Sequence, residues 1–366
     1  LIRAIGPVRR RIKRIAGLAD QGAKIVNRDR VPEQLAFQQI NQRSDFLARL
    51  PDIAQCFRTF GMRPGEWVAP EVTKKFQKQG FSIVANTFYA VTPDLNELTD
   101  KDWRGGKYAQ AWKTANIAPS NAALKKVEHY SKELKHVPLR QAAAQGQFYW
   151  SNPMFSPLDA VAYYSLIREV KPCRILEVGS GYSTAVAIMA AQQSPHPPEI
   201  SCIEPYPSDF LLNNERKLSS LIKRKVQDVD PALFESLEPG DILFIDSSHC
   251  SHLNSDLNFL LFEAIPRVKA GVYIHFHDIF LPSEYPRQWL EEIGIMWNEQ
   301  YLILAFLMFN QSFKMIWSSS VTGAEKSKEL YEIFQPLVPD HTAFLQNLGP
   351  YSGGSLWLHK SKVSRL

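Results

Sequence analysis

Cysteine is scarce and unpatterned in this 366-residue chain: Cys56, Cys173, Cys202 and Cys250 stand alone, with no CxxC pair. A disulfide framework is thereby excluded, and structural thiols in a reducing, cytoplasmic compartment are expected. Long apolar runs are missing as well. The longest, Tyr301 to Phe309, falls far short of the ~20 residues of a spanning helix. The first twenty residues have the charge of a secretory leader but no apolar core, because Arg9 to Arg14 interrupts every candidate, so no cleaved leader is expected. No internal repeat is found. There is also no basic stripe interleaved with aromatics and no Asn-Pro-Pro-Tyr-like base-flipping segment, which argues against nucleic acid as partner.

Apolar residues make up 45% and charged residues 22% of the chain, a globular composition, and the length suggests about two domains. The net charge of +5 is unevenly placed. Residues 1–30 hold nine Lys or Arg against Asp20 and Asp29, leaving a slightly acidic remainder. Within that arm Ile5, Val8, Ile12 and Ile15 recur at helical spacing, so a basic amphipathic helix resting peripherally on an anionic membrane is one expectation and a solvated arm the other. Residues 31–146 mix helical stretches with Pro- and Gly-marked turns and form a mainly helical accessory region without recognisable chemistry.

From 147 to 366 the pattern changes. An apolar helix over Leu158–Val170 precedes strand candidates at Arg174–Val178, Glu199–Ile203, Lys225–Gln227, Asp241–Ile245 and Val272–His275. Helices are expected between them, over Ser183–Gln193, Phe210–Leu221 and Asp256–Val268. A helix at Asn298–Phe309 and two runs, Lys314–Ser318 and Ser355–His359, would complete the sheet with antiparallel edges. Alternating strands and helices with near-continuous apolar strands predict an α/β fold, a doubly wound parallel sheet covered on both faces.

The sharpest local signal is the segment from Arg174 to Thr184, in which Glu177, Gly179, Ser180 and Gly181 follow a buried strand. Glycines there let the backbone turn and a ligand approach at a helix N-terminus, which implies a nucleotide-like ligand. The third position of a dinucleotide fingerprint is Thr184 rather than glycine, which disfavours an NAD(P)-dependent oxidoreductase. At the end of the next strand Glu204 is placed to accept from ribose hydroxyls.

The stretch Ile175 to Thr184 resembles motif I of the class I S-adenosylmethionine-dependent methyltransferases, with Glu204 at that family's ribose-binding position. The resemblance covers about 150 to 320 and the final strand. It implies a Rossmann-like sheet of seven strands with a reversed last strand, and it places Asp228 near the adenine.

Two further strand ends concentrate ionisable groups, Asp246 with His249 and His277 with Asp278, where ligands of open α/β sheets bind. Asp246, His277 and Asp278 offer one nitrogen and two carboxylates, an open set for Mg²⁺, Mn²⁺ or Fe²⁺. The pattern is similar to that of cation-dependent O-methyltransferases, and the Leu281–Pro286 and Trp297–Tyr301 segments resemble the methyltransferase-24 group. Methyl transfer to a hydroxyl requires removal of its proton, for which His249 is the expected base, with Asp246 beside it and a pKa near 7. His275, deeper in the strand, is expected to be a satisfied core histidine, His252 to face solvent, and Ser247-Ser248 to cap the following segment. The expected activity is methylation of a small molecule or sugar by a chain that self-associates; a non-catalytic scaffold on the same fold is the alternative.

Overall fold

The computed structural model describes residues 47–63, 67–103, 107–115, 121–141, 146–338 and 351–361. The basic arm 1–30, and with it the expected membrane helix, lies outside them. The chain divides into two compact units, one ending at Leu98 and the other running from Thr99 to Leu366. In the first, helix Leu50–Cys56 leads into a wide turn, a two-residue ladder pairs Met62–Arg63 with Trp67–Val68, and Pro70 opens helix Pro70–Lys78. Proline at that position costs nothing, since the first N–H groups of a helix lack acceptors anyway.

The second unit is built on a seven-stranded sheet. In chain order its strands are β1 (Arg174–Val178), β2 (Glu199–Ile203), β3 (Ser220–Ile222), β4 (Ile242–Ile245), β5 (Tyr273–Phe276), β6 (Phe313–Ser318) and β7 (Leu356–Lys360). They lie in the order β3-β2-β1-β4-β5-β7-β6. Strands β1 to β5 pair in parallel, and β7 runs antiparallel to both β5 and β6. The fold is therefore the expected Rossmann-like sheet with a reversed last strand, and the two final strands pair antiparallel as expected. The reversed strand itself lies inside the sheet, with β6 as the outer edge beyond it. Side chains alternate between faces along each strand. Leu176, Val178, Leu243, Ile245 and Ile274 enter one core with Leu257 to Val268, while Ile175 and Phe244 enter the other with helices α2 (Pro157–Val170) and α3 (Tyr182–Gln192).

The third strand lies at Ser220–Ile222, before the expected Lys225–Gln227, and the expected helix over Phe210–Leu221 shrinks to Asp209–Leu212. The sheet decides this: the Ser219 N–H donates to the carbonyl of Ile200, so the ladder takes up residues that periodicity assigns to a helix. The expected helix over Asp256–Val268 is a short helix followed by a wide turn and a last turn containing Pro266. Its cap is Ser255, whose hydroxyl accepts from Asn258 N, and not the Ser247-Ser248 pair. Upstream, helix α1 (Asn121–Ser131) packs on α2 through Lys126 and Tyr130, both bonded to Glu169. Glu133 then accepts from Tyr164 and Arg168. No helix among the described residues is long and apolar enough to cross a membrane.

Candidate active site at the carboxyl edge of the sheet

Directly after β1, Gly179 has φ +78°, a conformation that costs glycine little and other residues roughly 1–2 kcal/mol. Gly181 plays a different part. Its backbone is extended, and a Cβ added there would meet nothing within 4 Å, so the space beyond it is open to an approaching ligand. Thr184, where a dinucleotide turn would have glycine, holds the turn together: its hydroxyl donates to Glu177 at 2.5 Å and accepts from the Gly181 N–H at 3.0 Å. Glu177 is fully buried and also accepts from the Tyr163 hydroxyl at 2.9 Å. Burial pushes its carboxyl up to about 7, against the pull of the Thr184 and Tyr163 hydrogen bonds. Glu177 thus braces the turn from beneath. Glu204, fully buried at the end of β2, accepts from the N–H groups of Ser180 (3.3 Å) and Tyr206 (2.9 Å), which ties the two strand ends together. Asp228 does not directly follow a strand as expected; it is the exposed last residue of a helical turn, Val226–Asp228, whose first residue is buried.

Asp246, His249, His277 and Asp278 come together as expected, at the ends of β4 and β5. The strands place them: Asp246 N donates to Val178 O and His277 N to Ile245 O, continuing the ladders one residue beyond the last side-chain pair. His249 Nε2 lies 3.2 Å from Asp246 Oδ1 and 3.5 Å from Asp278 Oδ2. His277 Nδ1 lies 3.5 Å from Asp278 Oδ1 and 3.8 Å from Asp246 Oδ1. Asp246, His277 and Asp278 each offer one ligand atom, all within 4.8 Å of one another. His249 and Asp278 both adopt left-handed backbone, at φ +62° and +60°. Such strain persists only where surrounding structure enforces it, and it concentrates at functional sites.

Two residues that sequence reasoning did not place in the cluster complete it. Helix α4 (Glu299–Met308) opens with Glu299, fully buried, whose Oε2 is 2.6 Å from His249 Nδ1. In the first turn of α2, buried Asp159 lies 3.4 Å from His277 Nε2 and accepts from the N–H groups of Gly354 and Ser355. The polar start of the Trp297–Tyr301 segment was a signal for Glu299. For Asp159 the pointer was Gly353-Gly354 ahead of the last strand, because a Cβ at Gly353 would sit 2.6 Å from Asp159 Oδ1 and one at Gly354 2.8 Å from Asp278 Cα.

Electrostatics separate the histidines. Burial opposes charge on His249, but hydrogen bonds to Asp246 and Glu299 and the charge of Asp278 outweigh it and push its pKa up to about 10. The expected value near 7 is therefore corrected: three carboxylates surround the ring. His277 is likewise raised well above its ordinary value, since Asp278, Asp159 and Asp246 overcome burial. His275 is lowered well below its ordinary value, by burial first and then by the charge of His277. It stacks 3.9 Å from Phe244 and its Nε2 meets Ser355 Oγ at 2.8 Å, so it is the expected core histidine but a half-satisfied one, its Nδ1 being buried without a hydrogen-bond partner. His252 is exposed.

A glycine turn thus follows β1, an acid follows β2 and a His–Asp pair follows β5, on a sheet with one reversed strand. The family model described as "Methyltransferase domain" matches residues 176–279, from the glycine turn through Asp278. The resemblance to class I S-adenosylmethionine-dependent methyltransferases is borne out over that stretch. An uncharacterized protein of Archaeoglobus fulgidus is 42% identical over 98 residues, which are 26% of this chain and 44% of that protein. The alignment thus spans less than half of that relative. Among solved structures, the chain is similar to a Podospora anserina methyltransferase with S-adenosylhomocysteine bound (15% identity, 75% of this chain and 99% of that one, TM-score 0.35). It is also similar to the O-methyltransferase TomG of Streptomyces achromogenes in complex with S-adenosylmethionine (13% identity, 72% and 100%, TM-score 0.32).

Proposed function

We propose that the domain transfers a methyl group from S-adenosylmethionine to a hydroxyl of a small molecule or sugar held at the His–Asp cluster. The observation that carries this reading is the meeting, at one edge of the sheet, of an open glycine turn and a cluster able to bind and deprotonate an acceptor. Gly179, Ser180 and Gly181 form the cofactor cradle, which Glu177 shapes through Thr184. Glu204, held between the N–H groups of Ser180 and Tyr206, would serve the ribose hydroxyls, and the resemblance would assign exposed Asp228 to the adenine.

The donor set fits a divalent cation. His249 and His277 face Asp159, Asp246, Asp278 and Glu299. A cation there would replace the proton on His277 Nδ1, since only an unprotonated imidazole nitrogen can ligate. Asp246, His277 and Asp278 would hold it, and mixed imidazole and carboxylate ligands suit Mn²⁺ or Fe²⁺ as well as Mg²⁺. Such an ion supplies acidity to a bound hydroxyl and fixes its direction. His249 is the proposed base: its Nε2 faces Asp246 and Asp278 while Glu299 holds its Nδ1, and Nε2 would accept the hydroxyl proton whenever the ring is neutral.

Calorimetric titration with S-adenosylhomocysteine tests the first half. Saturable heat is expected, and its absence with the fold intact would refute the reading. His249→Ala should leave that affinity within about twofold; a large loss would remove His249 from the role of base.

A further inference from the structure

The histidines enter the cluster from different elements, and behind each stands a buried carboxylate that none of the strand-end motifs contains. Glu299 Oε2 holds the outer nitrogen of His249 at 2.6 Å, while Glu299 Oε1 is buried without a hydrogen-bond partner. The same helix start fixes the backbone of His249, whose carbonyl accepts from the N–H groups of Asn298 and Glu299. Trp297 packs against the ring with centroids 4.1 Å apart. On the other side Asp159 Oδ2 faces the outer nitrogen of His277 at 3.4 Å, an ion-pair contact and not a formed hydrogen bond, since this nitrogen is buried without a hydrogen-bond partner. Its carboxylate is fixed by Ser156 Oγ at 2.8 Å and by the N–H groups of Gly354 and Ser355 at 3.0 and 2.9 Å.

We propose that Glu299 and Asp159 are positioning residues that hold His249 and His277 by their outer ring nitrogens, so that Nε2 of the first and Nδ1 of the second face Asp246 and Asp278. This rests on the reading of the cluster as the reaction centre.

Carboxylates taken from water lose hydration that apolar side chains of similar size would not have to give up, so packing alone is a poor reason for two buried acids at these positions. An ionised carboxylate only accepts, so whatever lies against it must present an N–H. The outer nitrogens therefore keep their protons, and the inner ones are left to exchange a proton or take a cation. A carboxylate behind a ligating imidazole commonly fixes its tautomer in this way. The arrangement is symmetric in chemistry and asymmetric in atom, with Nδ1 the outer nitrogen on His249 and Nε2 on His277. That follows from the opposite sides on which α4 and α2 supply the acids.

The test is nitrogen-edited NMR of the full chain labelled with ¹⁵N-histidine, together with calorimetry using Mn²⁺ and S-adenosylhomocysteine. The wild type should show a far-downfield Nδ1 proton on His249 and a protonated Nε2 on His277. Glu299→Gln should move the first upfield and Asp159→Asn the second. Asp159→Asn should weaken Mn²⁺ binding about 10–100-fold, with S-adenosylhomocysteine affinity within about twofold. Parallel losses of nucleoside affinity and melting temperature would indicate mere packing and overturn the proposal. So would a wild-type His277 with a bare Nε2, which decides the matter even if Asp159→Asn does not fold. If the wild type takes up no Mn²⁺ but shows both outer protons, the cation reading fails and the positioning role stands.

Discussion

At the end of β1 a single buried acid, Glu177, is moved toward neutrality by burial, whereas at the ends of β4 and β5 four acids crowd two imidazoles and hold both toward their charged forms. The two places share one sheet edge and lie on adjacent strands. Their difference is one of partners. Glu177 meets two hydroxyls, which support a carboxylate only partly against desolvation, so the group serves as a brace. The cluster sets four carboxylates around two imidazoles, a mixture of acceptors and exchangeable protons that can accept a cation or pass a proton. Buried acid in a Rossmann-like crevice thus has no single meaning; its neighbours decide.

The largest effect that would break this comparison lies at Glu177. Its folded pKa of about 7 is raised above the ordinary carboxyl value of 4.5. Below pH 4.5 both folded and unfolded chains hold the proton. Between 4.5 and 7 only the unfolded chain releases it, so stability falls as pH rises through that window, by up to about 3 kcal/mol, and levels off above it. Glu177→Gln removes this contribution. Urea unfolding of both forms across pH 4–8 should show their stability difference growing in favour of Gln by that order, and a constant difference would mean that Glu177 is ionised throughout.

A middle effect sharpens the cluster side. Asp278→Asn keeps a residue type that tolerates left-handed backbone while removing one of the crowded charges. In chelator-treated buffer it should be stabilising, or at least neutral, by about 1 kcal/mol, because unbalanced like charge is relieved. Adding Mn²⁺ should reverse the order of melting temperatures, since only the wild type keeps the full ligand set. A variant less stable than the wild type without cation would show that the carboxylates are already balanced within the protein.

The smallest effect is expected at His275, two residues from His277 and outside both functions. His275→Phe gives up one hydrogen bond to Ser355 and removes an Nδ1 that is buried without a partner. Stability should change by no more than about 1 kcal/mol, and S-adenosylhomocysteine affinity should not change.

Much of this was legible in the chain. The run of β-strand residues ending in Glu177, Gly179 and Gly181 carries its own turn, since Gly179 needs left-handed backbone whatever surrounds it. Asp246, His249, His277 and Asp278 could be grouped because parallel strands end on the same side, so residues just past two strand ends must be near each other. The third strand was misplaced because Ser220–Ile222 is short and part-buried and pairs only through the β2 backbone. Apolar periodicity does not register such a strand.

Local sequence determined the turn, the order of strands and helices, and which residues reach the carboxyl edge, because each depends on backbone preference and on spacing within a few residues. Tertiary structure alone decided that β7 enters between β5 and β6, that Glu299 and Asp159 stand behind the two histidines, and that His249 is pulled far from its ordinary pKa. These depend on groups distant along the chain brought into contact, with 50 residues separating His249 from Glu299, and on the loss of water around them. Charge interactions at about 3 Å in a desolvated site are set by the packing of helices onto the sheet, which no short stretch of sequence encodes.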